Sequence, residues 1–162
     1  MKSNAIKTFV IFIIMIMCVD LIYGQSLTIN SPSAIVVETS TNRVLYSKNE
    51  TDKRKIASTT KLMTAMVVLD NCSIDTKTVI SKRAAGVGGS EVGIKAGDEI
   101  TVEALLYGLM LESGNDCAVA LAECAAGSVE NFVVLMNNKA KAIGAYDTNY
   151  SNPHGLDTED NL

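Results

Sequence analysis

Between Thr101 and Gly144 three apolar segments follow one another, each long enough for a helix and each with its own start and stop signals. Thr101 is a good N-cap, Glu103 falls in the first turn, and Leu105, Leu106, Leu109 and Met110 recur at helical spacing until Ser113-Gly114-Asn115 interrupts them. A second helix is predicted over residues 116–126, stopped by Gly127. A third, capped by Ser128, carries Phe132, Leu135, Met136 and Ile143 before Gly144. Helices joined by such short breaks bury their apolar faces on one another, so the middle of the chain is predicted to be a helical cluster. Strand signals are sparse. The β-branched run at 33–38, the polar run at 39–42 and the alternation at 43–47 predict a hairpin, and a brief strand is predicted over 78–80. Two strands before residue 78 make a marginal sheet without partners, so the expected class is α+β, a helical cluster with an antiparallel sheet that is incomplete in this chain. The stretch 86–97 is rich in glycine, but no Gly-Lys-Ser/Thr ending follows Gly86-Val87-Gly88-Gly89, which excludes a phosphate loop.

The first residues have the pattern of a secretory signal. Lys2 and Lys7 precede an apolar run from Phe9 to Val19, followed by Asp20 and by Gly24, Gln25 and Ser26. That run is too short to span a bilayer comfortably, so residues 1–24 are expected to be removed, leaving one domain over residues 25–162. Their loss takes away two lysines and one aspartate and makes the formal charge of −4 more negative by one. A mildly acidic chain with no basic run and few aromatic residues gives no reason to expect nucleic acid as a partner. Of the cysteines left, Cys117 and Cys124 stand two helical turns apart, about 10 Å by helix rise, beyond disulfide reach. They read as small buried residues and not as a bridge. One histidine and no Cys-x-x-Cys leave no zinc site to propose, and the expected metal set is empty.

The segment with most chemical content is Ser58-Thr59-Thr60-Lys61, at the mouth of the apolar stretch 62–69. If a helix starts at Ser58 and runs to residue 70, a spacing of three puts hydroxyl and amine on one face, a turn apart. A serine hydroxyl is a weak nucleophile that needs a proton acceptor within hydrogen-bond reach, and lysine can serve once burial lowers its pKa. The bland alternative is an N-cap serine with a solvated lysine in the first turn. Ser113-Gly114-Asn115 is the second such segment. Ser40-Thr41-Asn42 and Ser47-Lys48-Asn49 share its Ser-x-Asn spacing, but only Ser113 falls between two apolar helices, where a hydroxyl and an amide can be held rigidly; its bland reading is a capping turn. The lone His154, between proline and glycine, reads as a turn residue, and Lys95 and Glu112 as surface charges.

Taken together, Ile56-Ala57-Ser58-Thr59-Thr60-Lys61-Leu62-Met63-Thr64-Ala65, Leu105-Leu106-Tyr107-Gly108-Leu109-Met110, Ser113-Gly114-Asn115-Asp116, Val119-Ala120-Leu121-Ala122-Glu123 and Asn152-Pro153-His154-Gly155-Leu156 closely resemble the serine D-Ala-D-Ala carboxypeptidases, the low-molecular-mass penicillin-binding proteins. The likeness begins at about Ser33 and continues to the last residue. Of the motifs shared with the related β-lactamases, Ser-x-x-Lys is present and Ser-Asp-Asn appears with glycine in its middle, as in the carboxypeptidase branch; no Lys-Thr-Gly or Lys-Ser-Gly occurs in the 162 residues.

The resemblance implies a β-lactamase/transpeptidase-like fold, of which residues 25–162 are the N-terminal part, truncated before Lys-Thr-Gly. It also implies acyl transfer on peptidoglycan stem pentapeptides ending in D-Ala-D-Ala. Ser58 would be the nucleophile, Lys61 its base and Ser113 a proton relay, while Asn115 would hold the substrate backbone or orient Lys61. β-Lactams would acylate the same serine, and no cofactor is called for. The expected location is the outer face of the bacterial cytoplasmic membrane, with membrane-surface association through a C-terminal anchor missing here. Two rival readings are a β-lactamase-like serine acylase of the same fold and a non-catalytic fragment that binds cell-wall peptide or a partner protein. In the family the Lys-Thr-Gly strand lines the cleft beside the second oxyanion donor, and one lost donor costs about 3 to 4 kcal/mol of transition-state stabilisation. Residues 25–162 alone are therefore expected to be catalytically impaired or incompletely folded; steady hydrolysis of a D-Ala-D-Ala peptide by that purified fragment would contradict this.

Overall fold

The structure, a computed structural model, describes residues 28–156, in two units that divide between Asp52 and Lys53. The segment 1–24, read as a secretory signal, lies outside the described residues.

The first unit is the predicted hairpin. Strands β1 (Ala34–Glu38) and β2 (Arg43–Lys48) pair antiparallel, with Ala34 opposite Lys48 and Glu38 opposite Arg43, and the register shifts once between Val36 and Val37. Asn42, at φ 56°, turns the chain, a conformation asparagine tolerates better than most residues. Lys48 Nζ donates to the carbonyls of Ile29 (2.7 Å) and Ser31 (2.8 Å) and so ties the incoming chain to the second strand.

The second unit begins at Lys53. A 3-10 turn, Ala57–Thr59, leads into α1 (Thr60–Asn71). The helix was expected from Ser58 itself; the difference arises because Thr59 N–H bonds back to the Ile56 carbonyl (3.1 Å) and Thr60 N–H to Ala57, closing a tighter turn around the serine. Strand β3 (Lys77–Val79) pairs antiparallel with β4 (Glu99–Thr101), and the short turn Ala84–Gly86 lies between them in sequence. The sequence pattern shows the first of these strands but not the second. Three residues carry no alternation, and Thr101 does double duty: it ends β4, and its Oγ1 accepts from the Ala104 N–H at 3.2 Å to cap the next helix.

Helices α2 (Val102–Leu111), α3 (Asn115–Ala126) and α4 (Val129–Ala142) follow close to where the pattern puts them. α3 lies in the middle of the cluster, packed against α1, α2 and α4, and its first eight residues, Asn115 to Ala122, are all buried. Gly127 ends it at φ 75°, a left-handed cap that a side chain would strain. Ser128 Oγ then accepts from Asn131 N–H and starts α4, which turns Val129, Phe132, Met136 and Ala140 into the core at helical spacing. Ile143 follows the last turn as a cap residue and is exposed, against the expectation that it extends this apolar face. Val67, Val68, Leu105, Leu109, Leu121 and Phe132 share one core, each large side chain contributing about 1.5 to 3 kcal/mol on burial before the entropy of ordering. The carboxyl end of α4 is tied to that of α1 by Lys139 and Asp70, 2.7 Å apart. Asn137, on α4, takes both backbone groups of Tyr150, donating to its carbonyl at 2.8 Å and accepting from its N–H at 2.9 Å. That pair returns the final described segment, residues 151–156, to the helical cluster.

Candidate active site

Lys61 lies in the first turn of α1 and is 3 % exposed, yet its amine reaches three oxygens. Nζ stands 3.3 Å from Ser58 Oγ, 2.8 Å from Asn115 Oδ1 and 2.9 Å from the His154 carbonyl. All three partners are neutral, so no counter-charge offsets the loss of solvent. Burial lowers the pKa of Lys61 below the ordinary lysine value. The solvated-lysine alternative is thereby excluded. Ser58 itself is exposed, immediately after Ala57, whose φ of 46° is unusual for a residue with a side chain.

Ser58, Thr59, Lys61, Leu62, Leu109, Met110 and Ser113 line one cavity of about 320 Å³. Ser113 therefore joins the Ser58–Lys61 pair, as the sequence pattern anticipates. It is held at φ 56° between α2 and α3, and its Oγ is buried without a hydrogen-bond partner among the described residues. The hydroxyl is thus unsatisfied on a backbone that a residue with a side chain rarely adopts. Met110 is exposed, where the apolar pattern alone places it in the core, because it walls this cavity.

Asn115 is fixed at both ends. Its Oδ1 takes Lys61 and its Nδ2 donates to the Gly88 carbonyl at 2.8 Å, while its backbone N–H donates to the Ser90 carbonyl at 2.7 Å. The next residue does more of the positioning than sequence reasoning saw. Asp116, 1 % exposed, accepts from the N–H groups of Val92 (3.2 Å), Gly93 (2.8 Å), Ile94 (3.2 Å) and Cys117 (2.8 Å). Burial alone would raise its pKa, but these four donors outweigh it and hold the carboxyl below the usual range. One carboxylate thus staples the 88–94 loop to the start of α3. Its place after Ser-Gly-Asn reads merely as an acidic first turn, and the loop it binds is distant in sequence, so no local signal reveals the role.

His154 serves a turn, as expected, but the turn serves the site. Asn152 Oδ1 accepts from the N–H groups of His154 (3.2 Å) and Gly155 (2.6 Å), and Thr64 Oγ1, one turn after Lys61, donates to the Pro153 carbonyl at 2.6 Å. A Cβ on Gly155 would come within 1.9 Å of the Ala57 carbonyl oxygen, so only glycine lets the turn lie against the backbone that presents Ser58. The imidazole accepts at Nδ1 from Leu156 N–H, and its pKa is pushed down to about 4 by burial first and then by Lys61 and Arg83. It is neutral at pH 7. Lys95 and Glu112 are exposed, as expected of surface charges.

Residues 22–162 match the family profile described as D-alanyl-D-alanine carboxypeptidase. D-alanyl-D-alanine carboxypeptidase DacF of Bacillus subtilis is 40 % identical over 132 residues, covering 78 % of this chain and 34 % of the relative. DacD of Escherichia coli is 36 % identical over 140 residues, covering 80 % and 36 %. Among solved structures, the D-alanyl-D-alanine carboxypeptidase DacD from Francisella tularensis superimposes with a TM-score of 0.79 at 36 % identity, over 88 % of this chain and 36 % of that one. Penicillin binding protein 6B from Escherichia coli gives 0.79 at 34 % identity, over 87 % and 48 %. The chain belongs to the D-alanyl-D-alanine carboxypeptidase family, and its α+β fold is that of the penicillin-binding DD-peptidases. It spans about a third of the length of the curated relatives it matches.

Asp116→Asn removes the charge and points an amide N–H at backbone donors; it is expected to cost about 3 kcal/mol of stability, measured by denaturant unfolding at pH 7. Because the folded-state pKa is depressed, the Asp116 contribution is complete above the ordinary carboxylate value and is lost as pH falls through the folded-state value. The gap between wild type and variant should close in that acid range, and a gap independent of pH would contradict the assignment.

Proposed function

We propose that the gene product carrying this chain is a serine-type D-Ala-D-Ala carboxypeptidase of the bacterial cell envelope, acting on peptidoglycan stem peptides through an acyl-enzyme on Ser58. The observation that carries the reading is the buried Lys61 amine, free of any counter-charge and 3.3 Å from the Ser58 hydroxyl. In its neutral form Lys61 accepts the hydroxyl proton as Ser58 Oγ attacks the carbonyl between the two D-alanines. The Ser58 backbone N–H faces the developing oxyanion. Ser113 Oγ, with no partner of its own in the described chain, passes a proton to the departing amine, and the terminal D-alanine leaves. Water then attacks the ester and frees the shortened peptide and the serine.

Asn115 is better read as the group that orients Lys61 than as a clamp on the substrate backbone, since both ends of its amide are already engaged. Any contact to substrate would have to displace one of these bonds. The cavity wall of Leu62, Leu109 and Met110 supplies an apolar side that keeps water from the amine. Export through the N-terminal signal at 1–24 fits a substrate outside the cytoplasmic membrane, and β-lactams would acylate Ser58 in the substrate's place.

In the full-length gene product, a fluorescent penicillin should label the wild type and fail to label Ser58→Ala. Lys61→Ala should lower the acylation rate about 10²- to 10⁴-fold, the loss expected of a general base. Release of D-alanine from a D-Ala-D-Ala peptide should fall in parallel. Covalent label persisting in Ser58→Ala would overturn the assignment, and rapid turnover of penicillin with no release of D-alanine would point to a β-lactamase instead.

A further inference from the structure

The three oxygens around the Lys61 amine are of two kinds. Asn115 Oδ1 (2.8 Å) and the His154 carbonyl (2.9 Å) can only accept a hydrogen bond, whereas Ser58 Oγ (3.3 Å) can accept or donate one. The orientation of the Asn115 amide is fixed by its other end, because Nδ2 meets the Gly88 carbonyl, itself an acceptor only, at 2.8 Å. A neutral amine carries two N–H groups and one lone pair. The two obligate acceptors take both N–H groups, and the lone pair is left for the one neighbour with a proton to give, Ser58. Without either acceptor the amine is free to turn an N–H toward Ser58 Oγ, and the lone pair then points away from the hydroxyl it must deprotonate.

The His154 carbonyl is a backbone group, so its placement needs a cause of its own. Two consecutive peptide groups of the turn are held on both sides. In the Pro153–His154 peptide the carbonyl accepts from Thr64 Oγ1 at 2.6 Å and the N–H donates to Asn152 Oδ1 at 3.2 Å; in the His154–Gly155 peptide the carbonyl accepts from Lys61 Nζ and the N–H donates to the same Asn152 oxygen at 2.6 Å. Asn152 belongs to the turn and shapes it. Thr64 belongs to α1, three residues after Lys61, and fastens the shaped turn to the helix that carries the amine. The other acceptor near Thr64 Oγ1, the Thr60 carbonyl, is 3.5 Å away, so the single hydroxyl proton goes to Pro153. Thr64 and Pro153 are both fully buried, which keeps water from competing for that bond.

We propose that Thr64 is a positioning residue for acyl transfer: by holding the Pro153 carbonyl it sets the His154 carbonyl where, together with Asn115, it takes both N–H groups of the neutral Lys61 amine and aims the lone pair at Ser58 Oγ. The inference rests on the acyl-transfer reading and extends it to a side chain that does not line the cavity. As Ser58 Oγ bonds to the substrate carbonyl carbon, its proton passes to the lone pair, and the ammonium so formed has three donors for three oxygens. Thr64→Val keeps the shape of the side chain and deletes the donor, so the buried Pro153 carbonyl loses its partner and the turn loses its fastening to α1.

The test follows acylation of the full-length gene product by a penicillin in stopped flow, with the limiting rate and the half-saturating concentration obtained separately and the fold of each variant checked by circular dichroism. In Thr64→Val the limiting rate should fall about 10- to 100-fold, the loss expected of a slightly misplaced catalytic group, with the half-saturating concentration unchanged. Thr64→Ser and Thr64→Ala differ by the hydroxyl alone and share any cost of the missing methyl, so they carry the comparison whether or not the valine variant folds: serine should restore the rate and alanine should not. A folded Thr64→Val with the wild-type limiting rate, a loss confined to the half-saturating concentration, or equal losses in the serine and alanine variants would overturn the proposal. Failure of the acyl-transfer reading has a different signature, because then the wild type would not be acylated or Ser58→Ala would be.

Discussion

A buried amine held by three oxygens from three distant parts of the chain is the constraint around which the second unit is arranged. Ser58 comes from the turn that enters α1, Asn115 from the start of α3, and the His154 carbonyl from the final described turn. Leaving water costs a lysine most when it is charged, so the same burial that would weaken a structural ion favours the neutral amine that a hydroxyl needs as its base. The three contacts also join segments up to 93 residues apart. The chemistry and the long-range topology are therefore one feature.

Around that amine the chain uses small polar groups as staples. Asp116 gathers four backbone N–H groups and sets the 88–94 loop against α3; Asn152 folds the 152–155 turn, and Thr64 receives it on α1. Each of these side chains is satisfied inside the protein, whereas the Ser113 hydroxyl is buried with no partner in the described residues. The contrast separates side chains whose bonds build the site from one hydroxyl that takes no part in them. Strain follows the same division. Of the residues with a side chain at positive φ, Ser113 lines the cavity and Ala57 immediately precedes Ser58, which also lines it, while Asn42 and Asn49 belong to the hairpin unit and are of the type that accepts such a backbone.

Much of this was legible in the sequence, and the reason is periodicity. The breaks at Ser113-Gly114-Asn115 and Gly127 and the caps at Thr101 and Ser128 are local signals, and the helices begin and end within a residue or two of them. Ser58 and Lys61 were legible because a spacing of three has the same meaning at the mouth of almost any helix. What escaped was non-local: β4, too short to alternate; Asp116, three of whose four donors lie more than 20 residues upstream; and the carbonyl of His154, since a backbone oxygen has no sequence signature. Ile143 and Met110 were misplaced for a related reason. A hydrophobic pattern shows that a residue is apolar but not whether it faces a core, a cap or a cleft.

The central claim concerns the protonation of one side chain, and lysine-selective ¹³Cε NMR measures it directly. In the full-length gene product, Lys61, assigned by comparison with Lys61→Arg, is expected to lose its proton at a lower pH than an ordinary lysine, as burial disfavours the charged form. A Lys61 resonance that titrates together with the surface lysines would contradict the account.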